Sequence, residues 1–206
     1  MEVSELLDHT RSHVLRDVPA PQLFGDAAML AYLNEGYKIF ARTTHCFVTM
    51  NQLELESGEN TYALPDGTVH VRQVMNDKGR FLAPFTRRAK PKQFVGRPGA
   101  YSTDNRHRQI RFWPTPDADY TYIIEYAHLP EQVEDGDEID LDYDHALLLA
   151  QWIAYRCLMN NDPDGSETIS ADTFHAAWLV GLRDAKMDYT RMAMGDNPSA
   201  QPRSWT

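Results

Sequence analysis

The feature that most constrains this chain is a helix with almost no polar face. Between Ala146 and Met159 only Gln151 and Arg156 clearly interrupt an apolar circumference. A helix with water on one side carries a polar stripe there. One without such a stripe must be covered on several sides, by its own domain or by neighbouring copies. The residues upstream set how this helix is reached. Ile110 to Pro114 reads as a strand running into the turn-rich Thr115-Pro-Asp-Ala-Asp119. Beyond it Tyr120, Tyr122, Ile124 and Tyr126 fall on one face, and Thr121, Ile123 and Glu125 on the other. Period-two alternation marks a strand with one packed face. The stretch is therefore expected to be a β-hairpin that feeds, past Leu129-Pro130 and an acidic linker, into the buried helix.

Helical spacing returns at both ends of the chain. Val3 to Asp17 reads as a helix with a loose stripe of Val3, Leu7, Val14 and Val18, Leu6 and Leu15 beside it, and Pro19 and Pro21 end it. Asp26 is a suitable N-cap for a second helix, in which Leu30, Leu33, Tyr37, Phe40 and Thr44 keep the three-four spacing up to His45. After the central helix, Asn160-Asn-Asp-Pro-Asp-Gly165 is a stop. The last helix begins near Ser170 or Asp172, with Phe174, Ala177, Trp178, Gly181, Leu182, Ala185 and Tyr189 as its stripe, and Gly195 closes it. Between the helical ends the period is two. Thr49 to Glu56, Tyr62 to Pro65 and Val69 to Val74 read as strands. Phe81 to Phe85 reads as the hairpin partner of Val69 to Val74, and Gly99 to Ser102 as a weak strand. Lys90 to Phe94 reads as a short helical turn.

Helices, then strands, then helices predict an α+β fold. The expected architecture is an antiparallel helical bundle built from two N-terminal and two C-terminal helices. A β-rich lobe is inserted into it. Residues 1–47 and 140–194 form the bundle, 48–130 the lobe, 131–139 an acidic linker and 195–206 an extended C-terminal tail. At 206 residues the chain is long enough for a sizeable core.

Charge is unevenly spread. The chain carries net −10, yet Thr61 to Thr115 holds 11 basic and 3 acidic residues, net +8, which leaves net −18 on the remainder. An acidic chain is a poor nonspecific nucleic-acid binder as a whole, and the asymmetry points to oriented contacts with partners. Met1-Glu-Val-Ser-Glu has no apolar core of a signal peptide, and no run of residues is apolar enough to span a bilayer. Cys46 and Cys157 fall in apolar contexts and read as reduced, packed thiols.

Catalytic chemistry is not legible. There is no phosphate-binding glycine loop, nucleophile elbow or dinucleotide fingerprint, and the eight histidines and two cysteines show no zinc spacing. Glu134, Asp135, Asp137, Glu138, Asp140, Asp142 and Asp144 are dense enough to hold Ca²⁺ or Mg²⁺. Without the EF-hand offsets they read as a solvated linker, with charge favourable to the helix that follows. His145 beside Asp144 reads as a first-turn surface or interface residue, because neighbours in a helix point apart. No metal and no cofactor is expected.

Two groups of residues are candidate partner sites. Arg87, Arg88, Lys90, Lys92, Arg97, Arg106, Arg108 and Arg111, interleaved with Phe94 and Tyr101, could contact phosphate or dock on an acidic protein surface. The overall charge favours docking. Pro198, Arg203 and Trp205 lie in a polar tail, where a tryptophan is a natural binding anchor. Leu147, Trp152, Tyr155, Phe174 and Trp178 are the expected packing residues of the bundle or of a ring built from it.

Three stretches, taken in order, carry a resemblance. They are Asp26-Ala-Ala-Met-Leu-Ala-Tyr-Leu-Asn-Glu at a helix opening, Tyr62-Ala-Leu-Pro with the valine alternation after it, and Ile110-Arg-Phe-Trp-Pro-Thr-Pro leading to Leu129-Pro130 and Asn161-Asp-Pro-Asp. Together they resemble head-to-tail adaptor (connector) proteins of tailed double-stranded DNA bacteriophages, over roughly residues 23 to 190. The first helix lies outside that span. The resemblance implies a non-enzymatic virion protein at the neck, assembled in the host cytoplasm into a ring of about twelve copies. Its partners would be the portal protein, a tail or nozzle protein and copies of itself. Double-stranded DNA would pass through it, and no membrane would be involved. It also implies a C-terminal segment that reaches the portal. The alternatives are another neck, tail-tube or tail-completion protein and, from a different class, a metal-dependent hydrolase using Asp140, Asp142 and Asp144.

Overall fold

The computed structural model describes residues 1–17, 23–85, 94–161 and 168–194. The fold is α+β, with helices at both ends of the chain and two sheets between them. The chain divides into two compact units, one formed by residues 1–44 with 130–206, the other by 45–129.

The helical unit is assembled on one element. Its helices are α1 (Val3–His9), α2 (Asp26–Thr44), α3 (Tyr143–Asn161) and α4 (Thr168–Met194). On α3 the residues Ala146, Leu149, Ala150, Trp152, Ile153, Ala154 and Cys157 are all buried. Positions spread that widely round a helix cannot face one neighbour, and α1, α2 and α4 all pack on α3. The helices therefore do not sort into an N-terminal pair and a C-terminal pair, contrary to the sequence-based expectation. The reason is that apolar surface on every side of α3 draws the others to it. Phe40 of α2 meets His145 at the start of α3, while Asn160 at its end hydrogen-bonds Tyr32, so α2 and α3 run antiparallel. Tyr189 meets His145 and His175 stacks on Tyr155, so α4 also runs antiparallel to α3. Close approach is set by glycine. A Cβ on Gly36 would lie 2.6 Å from Trp152, and one on Gly181 would lie 2.4 Å from Leu148.

After α1 the helix widens to π spacing over Thr10–Leu15 and stops where Arg16 turns left-handed, φ 55°. This places two polar residues in succession inside the unit, Thr10 at 0% exposure and Arg11 at 6%. The Thr10 hydroxyl donates to the Leu6 carbonyl at 2.7 Å. The Arg11 guanidinium donates to the Phe24 carbonyl at 2.8 Å, to Asp17 at 3.4 Å and to Asp26. Asp17, also buried, accepts from the backbone amides of Leu23 and Phe24. Asp26 is thus the first residue of α2 and a partner of Arg11, where the sequence reading had it as the cap. A buried charge that is fully hydrogen-bonded is tolerated; one left alone costs several kcal/mol.

The second unit is two sheets sharing one core. One has the order β1 (Val48–Leu55), β7 (Tyr120–His128), β3 (Thr68–Met75); the other has β2 (Thr61–Ala63), β6 (Gln109–Trp113), β5 (Ala100–Asp104), β4 (Ala83–Pro84). Ile110, Phe112, Tyr122 and Ile124 are fully buried in that core, with Leu55, Val71, Val74, Tyr101 and Tyr126 around them. Turns with left-handed glycines, Gly58 at φ 85° and Gly67 at φ 74°, reverse the chain after β1 and before β3.

The expected hairpin between Ile110–Pro114 and Tyr120–Tyr126 does not form. β7 is a central strand whose two edges are taken by β1 and β3, so β6 pairs with β2 and β5 in the other sheet. Pro114 and Pro116 have no amide to continue a ladder, so the chain leaves one sheet there and enters the other. Phe112 and Tyr122 then meet edge to face across the core at 5.7 Å. Phe81 to Phe85 changes sheets in the same way. Leu82 still donates to Val74 at 2.8 Å, but Ala83–Pro84 pairs in parallel with β5.

Candidate functional site

The sequence-predicted site residues fall into three groups. Pro198, Arg203 and Trp205, with Arg87, Arg88, Lys90 and Lys92, lie outside the described residues, as does most of the expected helical turn at Lys90–Phe94. Arg106 and Arg108 sit in the turn joining β5 to β6. Arg108, left-handed at φ 51°, donates to the Pro65 carbonyl at 3.2 Å and to Asp66 at 3.1 Å, and Arg106 gives its amide to Asp104. Asp104 also accepts from His107 at 2.9 Å, and that bond, chiefly, holds its carboxyl below the ordinary carboxylate range. Leu147, Tyr155 and Phe174 are half-buried, and Trp152 and Trp178 are buried within the helical unit.

Folding dilutes the basic segment. Residues 45–129 contain 11 basic and 9 acidic side chains, net +2, because the acidic flanks of β1 and β7 join the same unit. Several arginines find local carboxylates: Arg97 pairs with Asp77 and lies 5.1 Å over the Tyr120 ring, Arg108 pairs with Asp66, and Arg72 meets Glu125 at 3.5 Å. The last site is a small built network. The register shift between Val71 and Gln73 lets Arg72 and Gln73 both reach Glu125, which is 8% exposed. Burial raises the hydroxyls of Tyr101 and Tyr122 above the usual phenol range.

The helical unit holds the complementary 9 basic and 21 acidic residues, net −12. Its acidic segment is held to the helices. Asn34 brackets Val133 with two bonds of 2.9 Å, Asp140 donates its amide to Tyr37, Ile139 donates to the Met1 carbonyl, and the Val3 amide donates to Asp137. Ile139, an aliphatic residue between Glu138 and Asp140, is 3% exposed and was the signal for this docking. Asp142 caps α3: it accepts the His145 amide at 3.0 Å and contacts the His145 ring at 2.5 Å. The histidine's acidic partner is thus three residues back, one helical turn, and not the adjacent Asp144. Among the described residues no cluster of three or more His, Cys, Asp or Glu could hold a metal ion. No described helix is long and apolar enough to cross a membrane.

Two further surfaces of this unit were not anticipated. A cleft of about 260 Å³ lies along α1 and the π-spaced turn after it, lined by Met1, Glu5, Asp8, His9, Ser12, His13 and Tyr143. α4 exposes Leu179, Val180, Met187 and Met192, each at least 43% accessible, along with Arg183 and Arg191. Neither cysteine forms a disulfide, and burial pushes the Cys157 thiol up to about 12.

No curated protein matches the chain. The family model described as SU10 adaptor protein matches residues 1–202, which includes the first helix that the resemblance noted above had left out. Matched over nearly its whole length, this chain belongs to the SU10 adaptor protein family.

Proposed function

We propose that this chain is a structural protein of the phage neck, one copy of a ring of about twelve that joins the portal to the tail and lets DNA pass. The observation that carries this reading is the match to an adaptor family across nearly the whole chain. In this reading the four helices act as a bundle that forms the ring, and residues 45–129 form a lobe inserted in it. Leu147, Trp152, Tyr155, Phe174 and Trp178 keep the bundle rigid. The basic residues Arg87, Arg88, Lys90, Lys92, Arg106 and Arg108 face a tail or nozzle protein. Pro198, Arg203 and Trp205 anchor the chain to the portal or to a neighbouring copy. The role is mechanical and involves no bond-making step.

Charge supports the conduit. A bore must let DNA slide and not retain it, and carboxylates repel phosphate. A helical unit at net −12 suits a surface facing the duplex. The test is electron microscopy of virions beside particles made without this protein. The reading expects radial density at the head–tail junction that disappears with the protein. Density only in the capsid shell or at the tail tip would refute it. Deleting residues 195–206, or Trp205→Ala, should leave the melting curve unchanged while attachment to portal-bearing heads falls about thirtyfold, the usual consequence of losing one buried tryptophan anchor.

A further inference from the structure

We infer that the α1 cleft and the outward stripe of α4 are the two halves of one head-to-tail contact between successive copies of this chain. The inference rests on the ring reading above and adds which surfaces meet.

Three observations carry it. The first is placement. α1 and α4 each pack on α2 and α3, and no comparable α1–α4 packing occurs among the described residues. They therefore flank the α2–α3 pair, and both turn a face outward. A ring requires two different surfaces on opposite sides of each copy, because a head-to-tail contact is heterologous.

The second is height. Tyr189 of α4 meets His145 in the first turn of α3, and Gly181 meets Leu148. The half of α4 from Arg183 to Arg191 is thus level with the start of α3. The cleft is level with it too, since Tyr143 lines it together with Glu5 and Asp8. With the ring axis taken along the helices, rotation about it preserves height and brings the two surfaces level with each other.

The third is chemistry. On α4, Val180, Arg183, Met187 and Arg191 follow the three-four spacing along the exposed side, and the arginine side chains are 77% accessible. Arg183 and Arg191 have carboxylates nearby, Asp184 at 4.0 Å and Asp188 at 3.6 Å, which are exposed pairs of little strength. Opposite them the cleft presents the exposed Glu5 and Asp8 beside Tyr143, itself 59% exposed. Guanidinium groups between aliphatic side chains fit carboxylates beside a phenol ring, through ion pairs and cation–π contact.

The test is a charge swap in the full-length protein. One variant carries Glu5→Lys with Asp8→Lys, a second carries Arg183→Glu with Arg191→Glu, and a third carries all four changes. Each is added to heads made without this protein, and ring occupancy at the junction is counted by electron microscopy. Circular dichroism melts confirm the fold, which exposed positions leave intact. Either pair of changes should lower occupancy about tenfold or more, because like charges then face each other. The fourfold variant should recover to within about twofold of the unaltered protein, because its reversed surfaces again attract. Occupancy unchanged by either pair, or no recovery in the fourfold variant, overturns this contact while leaving the ring standing. If the unaltered protein itself forms no ring at the junction, the neck reading fails and the contact with it.

Discussion

The two units solve the burial problem in opposite ways. The helical unit has one organiser, α3, and draws its other helices from both ends of the chain. The β unit has no single organiser. Its core is shared by two sheets from one continuous segment, with aromatic pairs such as Phe112–Tyr122 across the middle. The polar groups differ in step. Inside the helical unit Arg11, Asp17 and Thr10 are buried where α1 turns towards α2. In the β unit the one strongly buried carboxylate among the described residues, Glu125, is met by two adjacent residues of the neighbouring strand. The lesson is that a unit closed by distant segments needs a polar clamp where the chain turns. A unit of continuous chain is closed by its own ladders.

The largest effect that would test this contrast is loss of a core aromatic. Trp178, at 1% exposure, sits on the α3–α4 seam, and Trp178→Ala should cost about 3–5 kcal/mol. Phe112→Ala should cost a similar amount. Because the cores are separate, denaturant melts followed by far-ultraviolet dichroism should show the helical transition moved by the first change and the β transition by the second. A single transition shifted equally by both would show that the units unfold as one.

Next come the polar networks. Asp17→Ala takes one carboxylate from Arg11, which keeps Asp26 and the Phe24 carbonyl, and removes the acceptor of the buried Phe24 amide, so about 2–3 kcal/mol is expected. Glu125→Ala removes a carboxylate whose partner Arg72 remains partly in water, so about 1–2 kcal/mol is expected. Equal costs in urea melts would remove the distinction between a clamp and a local pair.

Smaller differences lie along α3. Gly36→Ala drives a methyl into the rigid Trp152 ring and should cost about 1–3 kcal/mol. Gly181→Ala meets the branched end of Leu148, which can rotate away, and should cost about 1 kcal/mol or less. Thermal melts that reversed this order would place the tighter seam between α3 and α4.

The smallest effect is chemical. The Cys157 thiol, raised to about 12 from an ordinary 9.0 by burial, stays neutral in the folded state. A raised pKa contributes stability that is complete below the unfolded value and is lost as pH climbs through the folded one. Stability should therefore be flat to about pH 9 from this group and decline above it. At pH 8 a thiol reagent should label Cys157 only when the protein unfolds. Rapid labelling of folded protein would mean that α3 is less enclosed than its burial indicates.

Much of this was set by sequence alone. The apolar circumference of α3 demanded neighbours on every side, and α1, α2 and α4 supply them. The change of period near Thr49 separated helices from strands, and the family resemblance was legible in the order of weak motifs. Local periodicity specifies which residues are inside because burial follows the spacing of apolar side chains along the chain. It does not specify the partner. Strand pairing, the bonds that hold the acidic segment to α2, and the choice of Asp17 for Arg11 are decisions between segments far apart in the chain, which compete for the same donors and edges. β7 shows the reason. Its alternation was plain, but only once β1 and β3 had taken both its edges could β6 be sent to the other sheet. Charge follows the same logic: the +8 segment read from sequence became a +2 unit when the tertiary structure added the acidic residues of its flanks.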